Sequence, residues 1–164
     1  MLPIHIPTAW KVAFFSCLMA LPECAARQQH VPAMQVIDRL RGLGEEMYGI
    51  DFDSTRAIYL EMFRIAKQED LVPEQLEAIY NLCFCADYHE QMAEYPKYIA
   101  WGRQFMKEHA GVIQSEDKSG IHRASMIQAF GMYAYTLGDY DEAIAAFSRV
   151  VNLNGSTLTK DSST

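Results

Sequence analysis

The sequence predicts an all-α fold in which pairs of helices pack side by side. Apolar residues recur at spacings of three and four along most of the chain, as on one face of a helix. Proline, glycine and capping residues separate these segments. The second helix of each predicted pair begins near Ser54, Pro96 and Asp139, a period of about 43 residues. A chain of 164 residues is long enough for one such domain.

The clearest helical hairpin lies in residues 124–154. Its first helix ends at Leu137-Gly138, and Asp139 with Glu142 forms a predicted capping box for the second. Gly131 within the first helix indicates that another helix comes close. Asn154-Gly155 is the predicted end of the second helix. The predicted apolar stripes are Ile127, Phe130, Ala134 and Leu137 on the first helix, and Ala143, Ile144, Phe147, Val150 and Val151 on the second.

This hairpin resembles a tetratricopeptide repeat (TPR). The resemblance implies a short right-handed α-solenoid whose concave surface, lined by the first helix of each pair, binds a protein or peptide. Val150 and Gly155 depart from the pattern, since a small Ala and a Pro are usual there. The earlier pairs keep the helical pattern but little of the motif, with Ala86 and Glu94-Tyr95 as partial matches. The matching positions are Phe130, Gly131, Gly138, Asp139, Tyr140, Ala143, Phe147 and Asn154.

The remaining helices are predicted from similar signals. Asp53 or Ser54 is expected to cap the second helix, and residues 110–120 are expected to form a polar linker. The helix that begins at Pro73 is apolar nearly all round, which is typical of an inner helix covered on both sides. Predicted helices begin at Pro32, Ser54, Pro73 and Pro96, ahead of the hairpin.

The amino terminus predicts a secretory signal. Lys11 precedes the apolar run 12–21, and Cys24 and Ala26 are small residues suited to cleavage after Ala26. The run is too short to span a bilayer. The predicted organisation is a signal peptide at 1–26, a TPR-like domain at 27–154 and a disordered polar tail at 155–164. Export is expected, to the periplasm if the source is bacterial. The alternative is a cytoplasmic protein in which the apolar run packs on the repeats.

Charge and motifs limit the function classes. A net charge of −7 argues against nucleic-acid binding. The sequence contains no nucleophile elbow or phosphate-binding loop, and the acidic pairs 45–46 and 116–117 are expected to be solvated. Cys85 and His89 are one helical turn apart, but two ligands do not make a structural zinc site. We therefore expect Cys83 and Cys85 to be core residues, His89 to be a solvated turn residue, and no cofactor or metal.

The resemblance also implies candidate binding residues on the concave surface. Tyrosine, methionine and glutamine side chains there suit an apolar or amphipathic peptide, whereas the alternative is that Met132 and Tyr135 only pack helices together. The six candidates are Gln128, Met132 and Tyr135 in the third pair, and Tyr80, Cys83 and Asp87 in the second.

Three functions stay open at this point. The first is a non-catalytic scaffold for protein–protein interaction. The second is the sensor or input domain of a longer bacterial signalling protein. This second function is favoured because no polar capping helix follows Asn154 to cover the end of the helix array, which predicts further helices beyond Thr164. The third is an enzyme with a scattered carboxylate site.

Overall fold

The computed structural model describes the backbone of residues 32–161 and the side chains of residues 32–153. The predicted signal peptide therefore lies outside the described residues. The described part contains seven helices and no strand, which confirms the predicted all-α class. None of these helices combines the length and apolarity needed to cross a bilayer. The helices are α1 (Ala33–Met47), α2 (Phe52–Gln68), α3 (Val72–Tyr88), α4 (Tyr95–Glu108), α5 (Ala110–Glu116), α6 (Ile121–Thr136) and α7 (Tyr140–Asp161).

Sequential helices pack against one another in pairs. α1 packs on α2, α3 on α4, and α6 on α7, while α3 packs still more extensively on α2 than on α4 and also contacts α6. The second helices begin at Phe52, Tyr95 and Tyr140, at intervals of 43 and 45 residues, close to the predicted period. The predicted linker 110–120 is wrong in part, because residues 110–116 form the short helix α5, which contacts α3 and α4.

The turn between α6 and α7 has the predicted glycine and the predicted aspartate cap, but Glu142 does not complete a capping box. Gly138 adopts a left-handed φ of +78°, which glycine tolerates without a Cβ penalty. The Asp139 Oδ1 atom accepts a hydrogen bond from the Glu142 backbone N–H at 3.1 Å, as a helix cap does. The Glu142 carboxylate instead accepts a hydrogen bond from Arg103 of α4 at 2.6 Å. For α2 the predicted cap is wrong, because Asp51, not Asp53 or Ser54, accepts from the Ser54 N–H at 2.8 Å.

α3 is the helix that the sequence predicts to be an inner helix, because it is apolar nearly all round. It contacts α2, α4, α5 and α6, so its side chains meet neighbours on several sides. Much of the hydrophobic core consists of apolar side chains from α3 and from the faces of the neighbouring helices that pack on it. Burial of these side chains stabilises the fold. Its buried apolar residues are Val72, Leu76, Ala78, Ile79, Leu82, Cys83, Cys85 and Ala86.

Polar contacts join α1 to α3 in addition to this core. The Arg41 guanidinium donates two hydrogen bonds to the Glu77 carboxylate, at 2.6 and 2.7 Å, and the Glu77 side chain is only 6% exposed. Such a forked geometry is the strongest form of the arginine–carboxylate pair. Near the other end of the two helices, the Tyr48 hydroxyl donates to the Phe84 carbonyl oxygen at 2.9 Å.

Two glycines mark close approaches within helix pairs. A Cβ at Gly44 of α1 would lie 2.6–2.8 Å from ring atoms and the hydroxyl of Tyr59 on α2. A Cβ at Gly131 of α6 would lie 2.8 Å from the Phe147 ring on α7. The first and third pairs therefore use the same device, a helix glycine facing an aromatic side chain of its partner helix.

The apolar stripe of α7 differs from the prediction. Ala143 and Ala146 are buried, but Ile144, Phe147 and Val151 are 64%, 37% and 68% exposed. The physical reason is that α7 packs against α6 through its small alanines and part of the Phe147 ring, whereas Ile144 and Val151 project away from that contact. Leu137 at the end of α6 is likewise exposed rather than part of a buried stripe.

The end of α7 also differs. The helix passes through Gly155, where the sequence predicts its end, and continues to Asp161. A glycine within a helix costs only about 1 kcal/mol relative to alanine, so it need not stop one. Residues 155–161 of the predicted polar tail are therefore helical.

Candidate functional site

A surface concavity of about 310 Å³ lies where α3, α6 and α7 meet. Its lining includes three of the six residues named from the sequence. The lining side chains are Asp87 from α3, Met132, Tyr135 and Thr136 from α6, and Phe147 from α7.

The α6–α7 hairpin determines the apolar part of this lining. Met132, Tyr135 and Thr136 are three and four residues apart, so they share one face of the last turn of α6. The absence of a side chain at Gly131 lets Phe147 approach α6 and reach the same concavity. The Thr136 hydroxyl donates to the Met132 carbonyl oxygen at 3.0 Å, which satisfies that hydroxyl within its own helix.

Tyr135 contributes an exposed aromatic ring to the lining of the concavity. The Tyr135 ring meets the Tyr140 ring edge-on, with centroids 5.6 Å apart. Both tyrosines are about 60% exposed. A flat, exposed aromatic surface beside a methionine is well suited to adaptable apolar contact with a ligand.

Among the residues whose side chains the structure describes, Asp87 is the one charged residue that lines the concavity. Its carboxylate forms no salt bridge with any residue in the described part of the chain. Partial burial raises the pKa of Asp87 above its usual value, because the charged form loses hydration. The concavity thus combines an apolar lining with a carboxylate that has no cationic partner among residues 32–153.

The other three predicted residues lie outside this lining. Gln128 is exposed on α6, one turn before Met132. Tyr80 is half-buried, and its ring stacks on the His122 ring with centroids 6.3 Å apart. The helix position of Cys83 faces the core, and its side chain is fully buried. It therefore does not contact a ligand on this surface.

Cys85 and His89, which are one helical turn apart, have different surroundings in the structure. Cys83 and Cys85 are free, buried cysteines, as predicted, and burial raises the pKa of Cys85 to about 11. The His89 ring is half-buried rather than solvated, with its Nε2 2.6 Å from the Tyr48 carbonyl oxygen. In residues 32–153, no three His, Cys, Asp or Glu side chains are grouped to hold a metal ion.

Sequence reasoning missed two lining residues, Thr136 and Phe147. The helical repeat itself contained the signal for Thr136, which is four residues after Met132. The motif position of Phe147 predicts only packing, because it indicates the interior of the hairpin. Its partial exposure is a consequence of how α7 packs on α6 and has no signature in the sequence.

Comparisons of this chain with family models, with curated proteins and with solved structures found no match.

Proposed function

We propose that this chain is a non-catalytic, TPR-like helical-repeat scaffold that binds a protein or peptide segment at the concavity beside Tyr135. The TPR-like arrangement is supported by the three sequential helix pairs and by the glycine–aromatic contacts of the first and third pairs. The single observation that carries the binding proposal is that Asp87, Met132 and Tyr135, named from the motif, line one concavity.

The lining suits an apolar side chain of a peptide. Met132, Tyr135 and Phe147 provide apolar contact, and a volume of about 310 Å³ is at the lower end of the usual range for ligand sites. The Asp87 carboxylate at the same place favours a segment in which a lysine or arginine adjoins the apolar residue.

A peptide selection tests this proposal. A random phage-displayed peptide library is selected on the folded chain, and enriched peptides are synthesised and titrated by fluorescence anisotropy. The expected result is enrichment of peptides with a basic residue beside an apolar one. Tyr135→Ala is expected to weaken their binding about tenfold, as loss of an aromatic anchor does.

Tyr88→Ala is the matched control. Tyr88 is 59% exposed against 62% for Tyr135, and its ring packs on Tyr48 rather than lining the concavity. The control is expected to bind as the unchanged chain does. Failure to enrich any peptide, or equal losses in the two variants, would contradict the proposal.

One observation favours the second candidate, an input domain of a longer signalling protein. The exposed apolar stripe of α7, formed by Tyr140, Ile144, Phe147 and Val151, resembles a helix face made for a neighbouring helix. In this proposal an adjoining effector helix covers that stripe. The reading frame that encodes the chain tests it, since a membrane span or effector domain encoded after Thr164 is expected.

Export remains part of the proposal on the basis of the apolar run that precedes Ala26. Amino-terminal sequencing of the protein from expressing cells is expected to begin at Arg27. A sequence that still begins at Met1 would contradict export with cleavage.

A further inference from the structure

A second surface groove lies on the other side of the α6–α7 hairpin. It includes Arg149, which lies two residues after Phe147 and therefore about 200° around α7. Two adjoining concavities make up the groove and share Ile127 and Arg149. This groove is therefore separate from the Tyr135 concavity and does not depend on the function proposed there.

One end of the groove is cationic. A concavity of about 330 Å³ is lined by Arg123 and Ile127 of α6 and by Arg149, Asn152 and Leu153 of α7. Neither arginine forms a salt bridge within the described part of the chain. Two guanidinium groups therefore line one concavity in a chain whose net charge is −7.

Arg123 carries the more specific signal. Its Nε atom is buried and has no hydrogen-bond partner among the described residues. Asp117 is close, but its Oδ2 atom accepts from the Arg123 backbone N–H at 2.9 Å rather than from the guanidinium. A buried donor without an acceptor costs free energy, so an anion that draws the Arg123 guanidinium into the concavity would give this atom a partner and stabilise the site.

The other end of the groove is mostly apolar. A concavity of about 250 Å³ is lined by Ile127, Phe130, Ala145 and Ala146 together with three charged residues. Two of these charges are paired, since Arg103 donates to Glu142 at 2.6 Å and lies over the Phe130 ring. Arg149 is the third, and it faces both ends of the groove.

We infer that this groove binds a carboxylate attached to an apolar stem. The guanidinium groups of Arg123 and Arg149, with the Asn152 amide, supply donors for the carboxylate, and arginine is suited to this by its forked geometry. The stem lies over Ile127 and Phe130. The apolar floor favours this ligand over inorganic phosphate, and the net charge of the chain disfavours a polyanion.

Two kinds of molecule carry a carboxylate on an apolar stem, namely a free aliphatic acid and a polypeptide with its terminal carboxylate. Titrations followed by NMR of the arginine Nε–H groups distinguish them, with hexanoate for the first and an N-acetylated tripeptide ending in leucine for the second. We expect at least one of the two to shift the Arg123 signal, with a Kd on the order of 1 mM for hexanoate. Acetate and inorganic phosphate are expected to bind more weakly, and hexylammonium not at all.

Arg149→Ala tests the assignment without disturbing the core, because Arg149 is exposed. Its matched control is Arg64→Ala, which removes the same charge from an exposed position on α2. Arg149→Ala is expected to weaken binding of the acid about tenfold, and Arg64→Ala to leave it unchanged. Circular dichroism checks that both variants are folded.

Three results would overturn the inference. One is the absence of any shift with either acid up to its solubility limit. Another is equal weakening by the two substitutions, which would indicate only a long-range charge effect. The third is binding of hexylammonium as strong as that of hexanoate, which would show that the stem alone is recognised.

Discussion

Gly44 and Gly42 lie two residues apart on α1, and their replacement by alanine is expected to change the stability of the fold in opposite directions. A Cβ at Gly44 would lie 2.6 Å from the Tyr59 ring, whereas a Cβ at Gly42 meets nothing within 4 Å. Both alanine variants gain helix propensity of about 1 kcal/mol. Only Gly44→Ala also forces two packed helices apart, and Tyr59 is 2% exposed, so its ring has nowhere to move.

The size of the difference follows from these contacts. Overpacking of a rigid buried contact costs about 2–3 kcal/mol, so Gly44→Ala is expected to lower the free energy of unfolding by a net 1–2 kcal/mol. Gly42→Ala is expected to raise it by about 0.5–1 kcal/mol. For a chain of this size, the two variants should therefore differ in Tm by about 5–10 °C.

The assay is thermal and urea unfolding followed by circular dichroism at 222 nm. Equal Tm values for the two variants would refute the close packing of α1 on α2. A double variant provides a further check, since Tyr59→Leu should relieve the crowding at Gly44→Ala. A coupling energy of zero between the two substitutions would also refute the reasoning.

Three further predictions concern the other contacts described above. Glu77→Gln leaves the Arg41 guanidinium without its buried carboxylate and should lower the free energy of unfolding, measured by urea denaturation, by about 2–3 kcal/mol. The control Glu61→Gln breaks an exposed pair on α2 and should leave the urea midpoint unchanged. Equal effects of the two substitutions would contradict a special role for the buried pair. Gly131→Leu should lower Tm sharply by pushing α7 away from α6, and an unchanged thermal melt would remove that packing interpretation. Burial raises the pKa of Asp87, so its charged form disfavours the folded state and stability is lost as pH rises through the raised pKa. Asp87→Asn should therefore raise Tm at pH 7 but not at pH 3, and the same change at both pH values would contradict this sign.

The sequence predicted the helix pairs well because their signals are local. Glycine after a helix, a capping aspartate and apolar spacing act within a few residues, and the φ of Gly138 and the Asp139 cap both follow that chemistry. The inner position of α3 also followed from its own composition, since a helix apolar on all sides needs several neighbours.

The features that the sequence did not predict depend on which helices meet. The exposure of Ile144 and Val151 follows from α7 using its alanines against α6, and an amphipathic pattern does not distinguish these two faces. Burial of Cys83 likewise depends on the rotation of α3 among its neighbours. The groove around Arg123 and Arg149 joins residues 26 positions apart, a distance over which no short motif operates.

The central place of α3 has a consequence for how the chain opens. In a linear array each pair contacts only the next pair, and end units detach before the middle does. In this chain α3 belongs to the middle pair and contacts α2, α4 and α6, so its backbone amides are protected until the neighbouring helices have detached. Amide hydrogen exchange should therefore be slowest in α3 and faster in α7, which among the described helices packs extensively on α6 alone.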